Sequence, residues 1–462
     1  MRALPCPSPL RPLTLALALA GGLLAPAANA QTAAPVSAPV SATEALLLQR
    51  LDQMAAELAR MKAQLAELQQ QRSAPAAATA AVSNPAAPAP PPATATATGP
   101  ASTTPPTGSM AGASEPATVI TSYGEINYNR PRNHPSASNF DLRRLVLGYQ
   151  HRIDERTKVV AEIEVEHAVA SSGDVGEVAV EQAYIERQLT PSWALRGWLF
   201  LVPLGLINEN HEPPAFLGVE RNFVETAIIP STWREGGVQA VGSFDNGLTL
   251  QAGLASSFDL TKWDATSTEG AESPLGAAHQ ELAQAKGRSL ALFGAVNWRG
   301  LPGLQLGAGL FSGDATHGQA VTAARVTVWD VHARWTPGRW DLSALYARGD
   351  ISHTAALNLP LVGSSTLIPQ TFDGGLVQLG YRAWQRGDLV LTPFMRWEEF
   401  NTGRRYADLG AGLTPATRPT EQVWTLGANL QVAPGVVLKA DLQRFRRDKD
   451  ADRSNLGLGW SF

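Results

Sequence analysis

Most of the chain alternates apolar and polar residues with a period of two, as expected of strands that have one apolar face. In the segment 324–335, Trp329 and Val331 share one face, whereas Asp330 and His332 share the other. The same alternation, interrupted by turn residues, continues to the end of the chain. It predicts sixteen strands, at 118–128, 140–152, 157–168, 177–188, 192–201, 235–244, 248–257, 288–298, 304–312, 324–335, 339–348, 372–384, 388–398, 420–432, 436–446 and 454–462.

The connections between the predicted strands alternate between short and long. Every second connection is short and rich in turn residues, such as Asp-Asn-Gly at 245–247 and Thr-Pro-Gly at 336–338. Tight turns at one end and long loops at the other are typical of barrels that cross an outer membrane. Lipid permits only helices or closed barrels, because every backbone polar group must be paired. The predicted fold class is therefore all-β, with a 16-stranded antiparallel transmembrane β-barrel over 118–462.

Charged residues recur on the polar faces of these strands. Burying each charge in a dry core would cost on the order of several kcal/mol. We therefore expect the polar faces to line a water-filled lumen, which a sixteen-stranded barrel is wide enough to enclose. Strand 177–188 is an exception, because its residues do not establish a phase. The residues predicted to line the lumen are Arg144, Lys158, Glu162, Glu164, Glu166, Asp330, Arg334, Arg382, Arg396, Glu398, Lys439 and Asp441.

Three of these residues, Glu162, Glu164 and Glu166, form a row of carboxylates on one strand face. Such a row can attract cations along the lumen, or hold calcium near the rim through its oxygen atoms. More often it is simply a solvated wall. We assign no metal site and no cofactor to this pattern.

The connection over 202–234 is long and rich in charged residues. A loop of this length in a compact domain is usually functional or disordered. We hypothesise that it folds into the lumen and sets the constriction, where opposed acids and bases produce a transverse field. The alternative is a cap outside the pore. The charged residues assigned to this constriction loop are Glu209, His211, Glu212, Arg221 and Arg234.

The final strand ends in a bare aromatic residue. Leu456, Leu458, Trp460 and Phe462 share one face, and Ser461 lies on the other. A terminal ring suits a strand end at a membrane interface. The stretch resembles the terminal signal by which bacterial outer-membrane barrel proteins are recognised for assembly. The barrel-assembly machinery is therefore an expected partner, and Leu458, Trp460 and Phe462 are the expected signal.

The N-terminal part of the chain carries segments of a different kind. Residues 1–30 are predicted to be a secretory signal, because Arg2 precedes an apolar run and Ala-Asn-Ala at 28–30 is a small-x-small cleavage site. The single cysteine, Cys6, lies within this signal, so the mature chain has no disulfide. Residues 73–117 are almost all Ala, Pro, Thr, Ser and Gly, a composition that predicts a semi-extended linker.

Residues 44–72 are predicted to form one helix. Its apolar residues are separated alternately by four and three positions, a mean period of about 3.5 that is typical of a left-handed coiled coil. The linker leaves no nearby domain for packing, so we expect association between copies of the chain. An amphipathic helix packed on its own domain is the alternative. The seam residues are Leu47, Leu51, Met54, Leu58, Met61, Leu65 and Leu68.

Composition narrows the function classes. The net charge of −4 provides no basic field for nucleic acid. Beyond residue 30, no run of eighteen apolar residues predicts a membrane helix. The eight histidines lack a paired metal-ligand spacing, and no Gly-x-Ser-x-Gly elbow occurs. We therefore expect no nucleic-acid partner and no enzyme activity, although some outer-membrane barrels are proteases or lipases.

The barrel region resembles bacterial outer-membrane porins, and most closely the phosphate-selective porin O and P family. The likeness rests on Tyr-Gly-Glu-Ile at 123–126, Phe-Asp-Leu-Arg-Arg at 140–144, Glu-Gln-Ala-Tyr-Ile at 181–185, Trp-Leu-Phe-Leu-Val-Pro-Leu-Gly at 198–205, Ser-Thr-Trp-Arg-Glu-Gly-Gly at 231–237 and the terminal Phe462. The resemblance implies a trimer of 16-stranded channels in the outer membrane, each with a loop folded inward. It also implies a preference for phosphate, but the mixture of lumen acids and bases leaves anion selectivity open.

Together these features predict a porin, a water-filled channel for passive diffusion of small hydrophilic solutes and ions, with phosphate and other anions as candidate solutes. The alternative is a structural tether that links an outer-membrane barrel to the cell wall through the coiled coil. Both hypotheses place the N-terminal segment in the periplasm.

Overall fold

The computed structural model describes residues 117–320 and 322–462. The predicted signal (1–30), the coiled-coil helix (44–72) and, apart from residue 117, the linker (73–117) lie outside the described residues. These three assignments therefore stay predictions.

The regular structure of the described chain consists mainly of β-strands. Their bounds are β1 (Thr118–Pro131), β2 (Asn139–Asp154), β3 (Thr157–Glu166), β4 (Val178–Thr190), β5 (Trp193–Leu201), β6 (Arg234–Ser243), β7 (Leu248–Ser256), β8 (Leu290–Leu301), β9 (Leu304–Asp314), β10 (Arg325–Trp335), β11 (Trp340–Ile351), β12 (Thr371–Tyr381), β13 (Trp384–Arg386), β14 (Leu389–Arg405), β15 (Glu421–Ala433), β16 (Val436–Phe445) and β17 (Arg453–Ser461).

The sheet is antiparallel and closes on itself. Each strand pairs with its neighbours in the chain, and β1 pairs with β17, where Tyr123 lies opposite Ser461. β13 is a short segment that continues β12 along the same partner, β14. The barrel therefore has sixteen strand positions, which confirms the predicted 16-stranded antiparallel barrel.

The alternation of short and long connections is also observed. Two residues separate β2 from β3 (155–156) and β15 from β16 (434–435). The longest connections all lie at the other end of the barrel, at 202–233, 257–289, 352–370 and 406–420. We call the first of these, 202–233, the inner loop.

The barrel wall reverses the usual distribution of apolar and polar residues. Val331, Leu292 and Leu426 are 48%, 66% and 52% exposed, although all three are apolar. The intervening polar residues, such as Asp330 and Gln443, are buried on the inner side. An apolar outer band with a polar interior is expected of a barrel surrounded by lipid.

The phase of β4, which the sequence pattern leaves open, changes within the strand. Glu162 of β3 pairs with Gln182, whereas the next residue, Ile163, pairs with Val180. Glu181 is therefore an extra, bulged residue, and its side chain is fully buried. A single period-two phase cannot describe a strand that contains a bulge.

A hydrophobic core lies inside the barrel, between its wall and the long loops. The rings of Trp233, Phe258 and Phe311 contact one another, with centroid distances of 4.6–5.3 Å. Trp233 closes the inner loop, Phe258 belongs to loop 257–289, and Phe311 lies on β9. This core therefore fastens two long loops to one sector of the wall.

Helices are few and short in the described chain. Two α-helical turns, Glu269–Glu272 and Thr354–Asn358, lie in long loops. Across 117–320 and 322–462, no helix has the length and apolar character needed to cross a membrane.

The terminal residue provides a test of the assembly signal. The backbone of Phe462 is paired with Ser122, but its side chain is 72% exposed. Because the exposed ring contributes little to packing, Phe462→Ala should not lower the melting temperature of the purified barrel. If the ring belongs to the assembly signal, the same change should lower the amount of barrel inserted in the membrane. Heat-modifiable electrophoretic migration of membrane fractions measures the inserted amount. Leu413→Ala, an exposed apolar residue in a loop, is the control, and normal insertion with a lowered melting temperature would contradict the assignment.

Candidate functional site

The inner loop lies inside the barrel and contacts opposite walls. Gln251 of β7 donates a hydrogen bond to Glu209 at 2.8 Å. Val219 donates its backbone N–H to Asp441 of β16 at 2.7 Å. Because β7 and β16 lie across the ring of sixteen strand positions, the loop spans the lumen.

One asparagine and one backbone hydrogen bond close the neck of the inner loop, where Val202 donates its N–H to the carbonyl of Trp233 at 2.9 Å. The amide of Asn208 donates to the carbonyls of Val202 at 2.7 Å and Trp233 at 2.9 Å, and its oxygen accepts the N–H of Trp233 at 2.7 Å. These bonds hold the two ends of the loop together.

Glu225 organises the middle of the loop. Its carboxylate accepts the backbone N–H groups of Leu206 at 2.6 Å and Ile207 at 2.7 Å. This turn requires glycine at Gly205, which has φ of +81° and whose Cβ would lie 2.3 Å from the Glu225 carboxylate. The loop is therefore shaped by its own side chains.

A buried group of three residues attaches the loop to the wall. The hydroxyl of Tyr123 on β1 donates to Glu181 at 2.8 Å and lies 2.7 Å from Nε2 of His211. Nδ1 of His211 lies 2.9 Å from the carbonyl of Asn208. Because the Tyr123 hydroxyl donates its proton to the hydrogen bond with Glu181, Nε2 of His211 donates to the tyrosine oxygen and Nδ1 donates to the Asn208 carbonyl. An imidazole that donates from both nitrogens is cationic. Burial lowers the pKa of His211, but the Glu181 carboxylate outweighs burial and leaves the pKa above its ordinary value.

On the wall facing the loop, one arginine is surrounded by three carboxylates. Arg144 of β2 contacts Glu125 of β1 at 2.9 Å, and Glu164 and Glu166 of β3 at 3.0 and 3.4 Å. Arg144, Glu125 and Glu164 are buried. The register of β1, β2 and β3 brings these four side chains together. The cluster carries a surplus of negative charge.

The inner loop and the strand after it present two arginines on the other side. Nη1 of Arg221 donates to the hydroxyls of Ser231 and Thr232, whereas Nε and Nη2 are buried without a partner among the described residues. Arg234, the first residue of β6, pairs with Glu281 at 3.1 Å, and its Nε has no partner among those residues. Both guanidinium groups therefore carry buried N–H donors that no described acceptor satisfies.

A polar cavity of about 760 Å³ lies between these two sets of charges. Its lining includes Glu125, Glu164 and Glu166 on the wall, and Arg221 and Arg234 opposite them. The lining also contains Arg143 and Arg144 on the wall side and Glu220 and Glu281 on the loop side, so acids and bases alternate around the cavity. Charged linings of this kind sort ions by sign.

The other residues predicted to line the lumen have different positions. Several hold the inner loop against the wall, namely Arg334, Arg396, Glu398, Lys439 and Asp441. Asp330 is buried and lies 2.6 Å from His332. Lys158, nearer the short turns, pairs with Glu186 at 3.0 Å, and Glu162 accepts a hydrogen bond from Gln182.

Two predicted residues have less central positions. Arg382 is exposed and donates to the carbonyl of Gly338 in the β10–β11 turn, because β12 ends at Tyr381. It therefore lies at the short-turn rim and not along the wall. In the inner loop, Glu212 is half-buried and precedes the 3₁₀ turn Pro213–Ala215.

Sequence reasoning did not single out Glu125, Glu181 and Arg196. Glu125 lies two residues from the inward-facing Tyr123, so the period-two pattern places its side chain on the lumen face. Glu181 is concealed by the bulge in β4. Arg196 pairs with Glu186 across β4 and β5 at 2.6 Å, a contact that depends on register.

The row of three glutamates is part of this charged wall. Among the residues that the structure describes, no group of three or more His, Cys, Asp or Glu side chains is arranged to hold a metal ion. Two members of the row, Glu164 and Glu166, contact Arg144 instead. An arginine among the carboxylates opposes cation binding there.

A closed barrel of sixteen strands with a charged interior and an infolded loop has the fold of a bacterial outer-membrane porin. OmpF of Salmonella typhi, in complex with daunomycin, is similar with a TM-score of 0.52 and 12% identity, covering 75% of this chain and 97% of that chain. The outer membrane channel DcaP of Acinetobacter baumannii is similar with a TM-score of 0.49 and 14% identity, covering 75% and 97%. An anion-selective porin from Comamonas acidovorans has a TM-score of 0.47 and 12% identity, covering 75% and 100%.

The sequence itself has a nearer relative. An uncharacterized protein of Aquifex aeolicus (strain VF5) is 30% identical over 355 residues, which covers 74% of this chain and 79% of that protein. The chain belongs to the same family as this protein. No family model matches the chain.

The neck of the inner loop can be tested directly. Asn208→Ala removes three hydrogen bonds and leaves the buried N–H of Trp233 unpaired, at a cost of about 1–3 kcal/mol for that group. Amide hydrogen exchange of peptides within 202–233 should accelerate roughly tenfold or more, because local opening becomes less costly. Exchange in the wall strands should stay slow. Asn210→Ala, at an exposed position in the same loop, is the matched control, and equal exchange in the two variants would contradict the neck assignment.

Proposed function

We propose that this protein is an outer-membrane porin, a water-filled channel for passive diffusion of small hydrophilic solutes and ions. The observation that carries the proposal is the polar cavity of about 760 Å³ inside a closed barrel, with charged walls on two sides. A barrel that only anchored a coiled coil would need neither the infolded loop nor this arrangement of charges. The porin fold supports a channel over an enzyme.

The charges suggest how the channel treats its solutes. Arg144 already contacts the three acids of the wall, whereas Arg221 and Arg234 retain unpaired N–H groups. Both arginines line the cavity, so an anion there is stabilised by their positive charge. We propose that phosphate and other small anions pass along the arginine side of the cavity, and cations along the acid side.

Ion selectivity tests this assignment. In a planar bilayer with a salt gradient, Arg221→Gln combined with Arg234→Gln should shift the reversal potential toward cation preference, because the cavity lining then loses two of its positive charges. Phosphate should also block the current less. Arg339→Gln combined with Arg386→Gln, at two exposed residues of the short-turn end of the barrel, is the charge-matched control. Stepwise current with an unchanged reversal potential would contradict the anion path, and absence of current would contradict the channel.

We further propose that the protein assembles as a homotrimer and that the predicted coiled coil contributes to it from the periplasm. The sequence of 44–72 supports self-association, and the linker over 73–117 gives the helices freedom to meet. The coiled coil could in addition reach the cell wall, as a second role beside the channel.

Deletion of 44–72 separates the contributions of the helix and the barrel wall. Removing the seam should lower the stability of the oligomer while leaving the conductance of each pore unchanged, because the inner loop and lumen are untouched. Oligomer mass in detergent and single-channel conductance are the two measurements. Deletion of an equally long part of the linker is the control. An oligomer equally stable after both deletions would assign assembly to the barrel alone.

A further inference from the structure

A second group of charges lies on the outer surface of the barrel, close to the long loops. Val326 and Val328 of β10 are fully buried and point inward. Arg325, which precedes them, and Thr327, which lies between them, therefore point outward. Thr327 lies opposite Asp350 of β11, which is therefore also on the outer face. The alternation that defines the lumen thus also places this group outside it.

Strand register gathers these outward residues around one cavity. Asp314 of β9 lies opposite Arg325, and Thr371 of β12 lies opposite both Asp350 and Arg405 of β14. Asp314, Arg325, Asp350 and Arg405 line a cavity of about 450 Å³. We call it the outer cavity.

The outer cavity lies just beyond a pair of aromatic rings. Trp329 and Tyr346 face outward on β10 and β11, with their ring centroids 5.6 Å apart. Toward the short turns the next outward residue of β10 is the apolar Val331. Thr327 and Arg325 lie on the other side of Trp329, roughly 7 and 13 Å along the strand. Tryptophan and tyrosine concentrate at the headgroup level of a membrane, so the outer cavity lies at or just above that level.

The two acids of the outer cavity already have partners. Asp350 accepts two hydrogen bonds from the guanidinium of Arg348, both at 2.9 Å. Asp314 accepts the N–H groups of Thr316 and His317 at 3.1 and 3.0 Å. Among the described residues, neither carboxylate forms an ion pair with Arg325 or Arg405.

The two arginines of the outer cavity have no such partners. The polar contact of the Arg325 guanidinium is the Ser312 hydroxyl at 3.4 Å. Among the described residues, neither Arg325 nor Arg405 forms an ion pair. Both are exposed, so two guanidinium groups with free N–H donors face the lipid-side cavity.

We propose that the outer cavity binds the phosphate-bearing headgroup of an anionic lipid in the leaflet adjoining the long loops. Arg325 and Arg405 would donate to the phosphate oxygens, since guanidinium binds phosphate with two parallel hydrogen bonds. Trp329 and Tyr346 would contact the beginning of the acyl chains. This inference rests on the proposed placement of the barrel in an outer membrane, but not on its solute selectivity.

Lipid retention by the full chain in neutral detergent tests the proposal. The protein is titrated with phosphatidylglycerol or with phosphatidylcholine of the same acyl chains, and native mass spectrometry counts the lipids retained. We expect the unmodified protein to prefer phosphatidylglycerol. The variant R325Q/R405Q should lose this preference by about tenfold or more, because each arginine near a membrane surface contributes substantially to anionic lipid binding.

The control variant R339Q/R386Q removes the same charge from two exposed residues at the short-turn end of the same sector of the barrel. It should keep the preference for phosphatidylglycerol. Equal retention by the two double variants, or no preference in the unmodified protein, would overturn the proposal. Displacement of the lipid by an equal concentration of inorganic phosphate would show a site for free phosphate and overturn the lipid assignment as well.

Single-channel conductance, measured on the same variants, separates the lipid proposal from the proposed channel function. Arg325 and Arg405 lie outside the lumen, so R325Q/R405Q should conduct like the unmodified protein. A change in conductance without a change in lipid preference would show that the pair acts on the pore and would overturn the proposal. Lipid retention does not depend on ion selectivity. Failure of the Arg221 and Arg234 variants to alter selectivity would therefore leave the lipid proposal standing.

Discussion

Closure of the sheet between the first and last strands is the constraint on which the rest of the structure depends. The backbone of Ser122 and that of Phe462 exchange hydrogen bonds at 3.1 and 2.9 Å, and the pairing continues along β1 and β17. In lipid an unpaired strand edge would be very unfavourable, so an open sheet is excluded. Once the sheet is closed, alternate side chains necessarily face lipid and lumen. The charges then lie in a polar interior, where water and ionic partners stabilise them.

The inner loop converts a wide tube into a narrow charged passage. Its neck is closed by Asn208, and its middle is held by wall residues such as Arg396 and Asp441. Wall charges therefore serve two purposes. Some are bonded to the loop, whereas the Arg144 cluster and Arg221 face the remaining cavity. For this reason, the number of acids and bases in the lumen does not by itself determine which ion is preferred.

The accuracy of the sequence predictions follows the range of the interactions involved. Strands, turns and the even strand number could be predicted because alternation and turn chemistry depend on neighbouring residues. Glu181 could not be assigned, since a bulge shifts the phase without a clear sequence mark. Arg382 was expected along the wall but lies at the rim, because the strand breaks just before it. The two outward arginines, Arg325 and Arg405, are far apart in sequence and meet only through register.

By itself, the sequence determined that this chain forms a closed antiparallel barrel of sixteen strands with a polar interior. That result rests on local periodicity, which each strand carries within a few residues. Only the tertiary structure decided which charges meet: Arg144 with three glutamates, His211 with Tyr123 and Glu181, and Arg221 across the cavity from the wall. These contacts depend on strand register and on the path of a long loop, and both are set by packing between distant segments, which no local pattern encodes.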